Sequence, residues 1–260
     1  MNNDVTGKLP DNKNDNIDND NDENSDQAAL IDNWQQVSEQ VVQAHKQAAE
    51  QHQSKAAAKV TLLAVSKTKP AKMITTLVKQ GQHEFGENYL QEAIEKITTL
   101  QADPEMSAIV WHYIGSIQRN KTRDIAEHFD WVQTVERDII AKRLNDQRPE
   151  GMPPLNVLIQ LNIDDEDSKS GCLPEALDEL ITTIKGYERL QLRGLMIIPA
   201  KADTNAFART QRLFADIKQD HPELTGWDTL SMGMSSDMSE AIDNGSTMVR
   251  VGTAIFGARN

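Results

Sequence analysis

Cysteine is almost missing from this chain. Cys172 is the only one in 260 residues, so no disulfide can close within the chain and a reducing compartment is the expected home. No apolar run reaches the length of a membrane span. The opening residues lack the basic start and apolar core of a signal peptide, and the Arg-rich face of a transit peptide. The six histidines are scattered, with no H-x-x-x-H pair and no Cys/His cluster, which argues against a structural zinc site. Basic residues are outnumbered, 27 Lys and Arg against 40 Asp and Glu. They form no strong patch, which argues against nucleic acid as a partner. A cytoplasmic protein with neither membrane nor nucleic-acid partner is expected.

What is present is unevenly distributed. Residues 1–26 carry eight Asp or Glu against two Lys, so −6 of the net −13 lies there and −7 in the rest. That segment has almost no large apolar side chains and cannot offset its ordering entropy. The expected organisation is a disordered acidic tail over 1–26 and one domain over 27–260. The domain begins with a helical pattern over 27–52, where Leu30, Trp34, Val37, Val41 and Ala44 recur at helical spacing.

Strands and helices then alternate. Strand candidates are 60–66, 83–88, 111–115, 131–135, 155–163, 192–198, 229–233 and 248–252. Helices are expected over 70–81, 89–100, 120–129, 137–145, 174–185, 204–220 and 238–244. Pro70 suits the start of the first of these and Gly81 its end. Such alternation implies parallel strands joined by right-handed crossovers. No G-x-G-x-x-G opens the first helix, which removes the main support for a dinucleotide-binding sheet. Eight strand–helix repeats instead predict an α/β fold, a single (β/α)₈ TIM barrel of parallel strands.

A barrel of this kind works at the carboxyl ends of its strands. Lys67 stands there after "VTLLAVS", with Asn88, Ser116, Asn162, Pro199, Met234–Ser236 and Thr253 after later strands. Lys67 could simply extend to solvent where its strand ends. Alternatively, burial would lower its basicity and make it an amine nucleophile toward carbonyls. The loops after strands seven and eight, "GMSSDM" and "VGTAIFG", bring Ser235, Gly252 and Thr253 to the place where barrels hold phosphate. Glycine and serine are also ordinary turn residues. Arg250 lies on the same strand face as Gly252, one step deeper. It would either pair with a carboxylate such as Glu87 or bond the ring nitrogen of pyridoxal phosphate.

The segments "LLAVSKTKP", "FGENYLQEAIEKI", "WHYIGSIQRNK", "LIQLNIDDEDSKSG", "LRGLMIIP", "LSMGMSSDM" and "STMVRVGTAIFGAR" occur in this order. Over residues 28–260 the chain resembles the YggS/PROSC family of pyridoxal phosphate homeostasis proteins. The resemblance implies a barrel related to the N-terminal domain of alanine racemase, with pyridoxal 5'-phosphate as cofactor. It also implies a Schiff base on Lys67, surrounded by Asn88, Ser235, Arg250, Gly252 and Thr253. The acidic tail is outside the family pattern.

Other residues read as structural. Lys69, before Pro70, is expected in an exposed, extended loop step. His112 reads as a satisfied core histidine, the loop over 164–171 with Lys169 as solvated, and Cys172 as a packed thiol. Two functions follow. One is a carrier that holds the cofactor and supplies apo-enzymes that depend on it, without turnover. The other is an amino-acid racemase, which needs a second base facing Lys67. The racemase that the barrel resembles takes that base from a C-terminal domain, and the sequence ends at Asn260, so the carrier is the expected reading. An aldolase-like barrel acting on a sugar phosphate is a third reading, and it predicts no bound chromophore. With no long exposed apolar stripe, a monomer is expected.

Overall fold

A computed structural model describes residues 15–52, 59–166, 169–200, 203 and 205–258. In β5 (Leu155–Leu161) every residue except Asn156 is buried, as a parallel strand covered on both faces requires. The same holds for β8 (Met248–Val251), which is buried throughout, and for the last three residues of β1 (Thr61–Val65). The remaining strands are β2 (Glu84–Glu87), β3 (Val110–Tyr113), β4 (Trp131–Val135), β6 (Leu190–Ile197) and β7 (Thr229–Ser231).

These eight strands form one closed barrel in chain order, every neighbour parallel. Closure comes from β8 against β1, with Leu62 opposite Val249 and Leu63 opposite Arg250. The expected (β/α)₈ barrel is therefore the fold. Around it run α2 (Ala71–Val78), α3 (Leu90–Gln101), α4 (Thr122–His128), α5 (Asp138–Gln147), α6 (Leu177–Ile184), α7 (Ala206–Asp220), α8 (Met238–Asp243) and α9 (Thr253–Phe256). Each forms where an apolar stripe faces the strands; in α6 that stripe is Leu177, Leu180, Ile181 and Ile184. Pro70 caps α2 one residue ahead of its first turn, and Gly81, with φ of 96°, follows its end in the left-handed region that glycine tolerates.

The first helix departs from expectation. α1 spans Asp15–Gln51, so the boundary expected at residue 26 lies inside it. Residues 1–14 lie outside the described residues. The apolar stripe was correctly located: Leu30, Val37, Val41 and Ala44 are buried, and Trp34 is partly buried with its indole N–H donating to Gln82 Oε1 at 2.9 Å. It packs α1 on α8, α9 and α2. The fifth strand is shorter than expected, ending at Leu161. Asn162 instead caps the loop that follows, donating to the Glu166 carbonyl at 2.9 Å. Among the described residues no helix is long and apolar enough to cross a membrane.

Candidate functional site

The barrel interior carries an unexpected polar chain. Arg250 Nη1 donates to Ser231 Oγ at 2.8 Å, and Ser231 Oγ donates to Gln133 Oε1 at 2.7 Å. Gln133 Nε2 faces His112 Nδ1 at 2.9 Å, and His112 Nε2 faces Glu84 Oε2 at 2.6 Å. A carboxylate only accepts. His112 is then the Nε2–H tautomer, and every donor points from Arg250 towards Glu84. These side chains come from β8, β7, β4, β3 and β2. His112 is thus the satisfied core histidine the sequence suggested, stacked on Trp131 with ring centroids 5.2 Å apart.

Arg250 is 6 % exposed. Its other bonds go to the Ser231 carbonyl and the Ile197 carbonyl, both at 2.8 Å. Burial lowers its guanidinium to about 10, which still leaves it protonated at neutral pH. The salt bridge to Glu87 considered from sequence is not formed. Glu87 Oε1 instead accepts from Lys96 at 2.8 Å and from Ser66 Oγ at 2.7 Å. Two residues of β1 separate these partners from the Arg250 register, because Leu63, not Ser66, lies opposite Arg250.

At the carboxyl end of the barrel, Lys67 follows β1 in a turn. A cavity of about 50 Å³ is lined by Val65, Lys67, Thr68, Lys69, Gly252, Thr253, Phe256 and Gly257. The expected lysine and two of the three anion-loop residues are therefore brought together. Thr253 and Ser235 are exposed, and Ser235 does not line that cavity. Asn88 directly follows β2, half-buried, and its Oδ1 is buried with no donor. The close approach of the β2 and β3 ends depends on Gly115, where a Cβ would stand 2.1 Å from the Asn88 carbonyl oxygen.

Two expectations change in detail. Lys69 is not fully exposed: it is half-buried and its Nζ donates to the Ala258 carbonyl at 2.6 Å. The loop over 164–171 is more than solvated charge, since the Asp164 side chain is 5 % exposed and bonds both Lys169 and the Ala200 amide; residues 167 and 168 lie outside the described residues. Sequence reasoning also missed Lys96, buried on α3. Its signal was its place beside Ala93, Ile97 and Leu100 on the apolar face of that helix. Cys172 is buried, and burial pushes its thiol up to about 11, as suits a packed side chain. A larger cavity, about 590 Å³, lies elsewhere, among α1, α7 and α8 beside the start of β8. It is at the opposite end of the strands from Lys67.

Comparison with known families matches residues 42–260 to the alanine racemase N-terminal domain. The pyridoxal phosphate homeostasis protein of Escherichia coli (strain K12) is 53 % identical over 206 residues, 77 % of this chain and 86 % of that protein. Its counterpart in Haemophilus influenzae is 54 % identical over the same shares. The chain belongs to this family, the pyridoxal phosphate homeostasis proteins built on the alanine racemase N-terminal domain. Among solved structures, PipY of Synechococcus elongatus PCC7942 with PLP bound is 34 % identical. It aligns with a TM-score of 0.68 over 81 % of this chain and 99 % of its own.

Proposed function

We propose that this protein holds pyridoxal 5'-phosphate as a Schiff base on Lys67 and hands it to apo-enzymes that require it, without turnover of its own. The names of its relatives and the PLP-bound state of PipY support the cofactor. The observation that carries the reading is the shared cavity of Lys67, Gly252 and Thr253 at the carboxyl end of the barrel, with a buried guanidinium on the same face of β8 as Gly252. Lys67 Nζ adds to the aldehyde carbon and one water leaves. Thr253 and Ser235 supply hydroxyls for the phosphate. Asn88 Oδ1, an acceptor buried without a donor, fits a polar ligand at the mouth. Arg250 would meet the ring nitrogen. When bound, the cofactor supplies a reactive aldehyde and an electron-withdrawing ring.

Two features favour holding over turnover. Arg250 stays protonated, so it leaves the ring nitrogen without a proton and the ring a poor electron sink. Racemisation also needs a second base opposite Lys67. Among the described residues lining the cavity, the other candidate is Lys69, whose Nζ is engaged by the Ala258 carbonyl. The test pairs two assays on one preparation. Loaded protein mixed with an apo-enzyme should restore that enzyme's activity, while the α-proton of alanine in deuterated water should exchange slowly or not at all. Exchange at about 1–10³ per second, the usual range of enzyme turnover, would establish a racemase instead.

A further inference from the structure

The turn that carries Lys67 is held on both sides by one ionic cluster, buried at Glu87 and Lys96 and partly exposed at Glu92. Ser66, immediately before Lys67, is fully buried. Its hydroxyl donates to Glu87 Oε1 at 2.7 Å, and its carbonyl accepts from Lys96 Nζ at 2.8 Å. Thr68, immediately after Lys67, donates its backbone N–H to Glu92 Oε1 at 2.6 Å. Lys96 joins the two sides, bonding Glu87 Oε1 at 2.8 Å and Glu92 Oε1 at 2.6 Å. Glu92 and Lys96 stand one helical turn apart on α3, which puts both on the face towards the turn.

Thr68 explains why such a cluster is needed. Its φ is 63°, in the left-handed region that β-branched residues avoid. A residue in that state persists only where its surroundings over-determine it, and such residues gather at functional sites. Lys69, two positions past Lys67, lines the same cavity. A relaxed turn would bring either amine to an incoming aldehyde.

We infer that Glu92 and Lys96 of α3, with Glu87 at the end of β2, are positioning residues that hold the Ser66–Lys67–Thr68 turn and select Lys67 over Lys69 as the aldehyde-binding amine. The inference rests on the proposal that this site takes the aldehyde of pyridoxal phosphate, and it assigns a selectivity to residues that need not touch the ligand. Removing Glu92 frees the Thr68 amide and half of the Lys96 charge. Gln at the same position keeps an acceptor for Thr68. Glycine at position 68 removes the strain that the cluster opposes.

The full chain is loaded with pyridoxal phosphate, reduced with borohydride, and the labelled peptides are quantified for Lys67 and Lys69. Glu92→Ala should shift the Lys67-to-Lys69 ratio towards Lys69 by about tenfold or more, the scale of the strain released. Glu92→Gln should stay within about threefold of the parent. The Glu92→Ala effect should shrink to a similar small factor in a Thr68→Gly background. A merely structural role would lower the melting temperature without moving the ratio. Folded Glu92→Ala with the parent ratio overturns the inference, as does an undiminished shift in the Thr68→Gly background. If Glu92→Ala does not fold, Glu92→Ser, whose short side chain cannot reach the Thr68 amide, is read in its place, with the same shift required. Reductive methylation by formaldehyde, read at the same two lysines, repeats the comparison without the cofactor. A parent that labels neither lysine with pyridoxal phosphate but shows the methylation shift would defeat the cofactor reading and leave the positioning intact.

Discussion

Lys96, beside the ends of β1 and β2, and Arg250, on β8, are both buried cations, and they are held in opposite ways. Lys96 touches two carboxylates directly, Glu87 and Glu92. Arg250 touches no carboxylate among the described residues, only the Ser231 hydroxyl and two carbonyls. Its nearest hydrogen-bonded counter-charge is Glu84, reached through Ser231, Gln133 and His112 across the barrel. A buried charge paired at contact is spent on structure. One with no carboxylate in hydrogen-bond contact, acted on only at a distance by Asp237, keeps more of its field for a ligand. The comparison places Lys96 in the scaffold and is the ground for proposing that Arg250 serves the cofactor.

The sharpest way to break that comparison is to remove the scaffold cation. Lys96→Met leaves Glu87 and Glu92 without their partner and should cost about 3–5 kcal/mol in urea unfolding. A loss no larger than that of a surface lysine would erase the distinction. Next comes the ligand cation. Arg250→Met should weaken pyridoxal phosphate binding by about 1.5–3 kcal/mol, the value of a lost charge-assisted hydrogen bond. Absorbance titration measures it, and unchanged affinity would return Arg250 to the scaffold.

These two cations also mark what the sequence could disclose. Arg250 was legible because it shares a strand face with Gly252, and strand alternation needs no tertiary knowledge. Lys67 and Thr253 were legible because each follows a strand end, which a barrel turns into its working face. The Arg250–Glu84 relay was not. His112, Gln133 and Ser231 belong to three strands, and only barrel closure brings them into register. Lys96 was hidden because a lysine on a helix reads as solvated. The helical start of α1 at Asp15 was hidden because an Asn- and Asp-rich segment reads as coil.

A smaller effect sharpens the role of the relay. Gln133→Leu strands His112 Nδ1 and Ser231 Oγ together and should cost roughly 1–2 kcal/mol of stability. Cofactor affinity should fall by less than in Arg250→Met. An equal fall would mean that the relay, rather than the guanidinium alone, sets the ring contact.

The smallest effect is one of pH. Burial raises the Glu87 carboxyl above its ordinary 4.5, outweighing the attraction of Lys96. The asymmetry at this carboxyl agrees: Oε1 receives two donors while Oε2 is buried with none. An acid raised in the folded state stabilises the fold below its unfolded value, and that contribution is lost as pH rises through the folded value. Relative to Glu87→Gln, the parent should lose stability as pH climbs above 4.5. Parallel unfolding curves for the two proteins at every pH would contradict this.

The central claim is that Lys67 is the residue that binds pyridoxal phosphate. Full-length protein incubated with the cofactor, reduced with borohydride, digested and mapped by mass spectrometry tests it most directly. The account predicts one dominant labelled peptide with the modification on Lys67, and its disappearance in Lys67→Ala. A dominant label on Lys69 or Lys169, or none on protein that has taken up the cofactor, would contradict it.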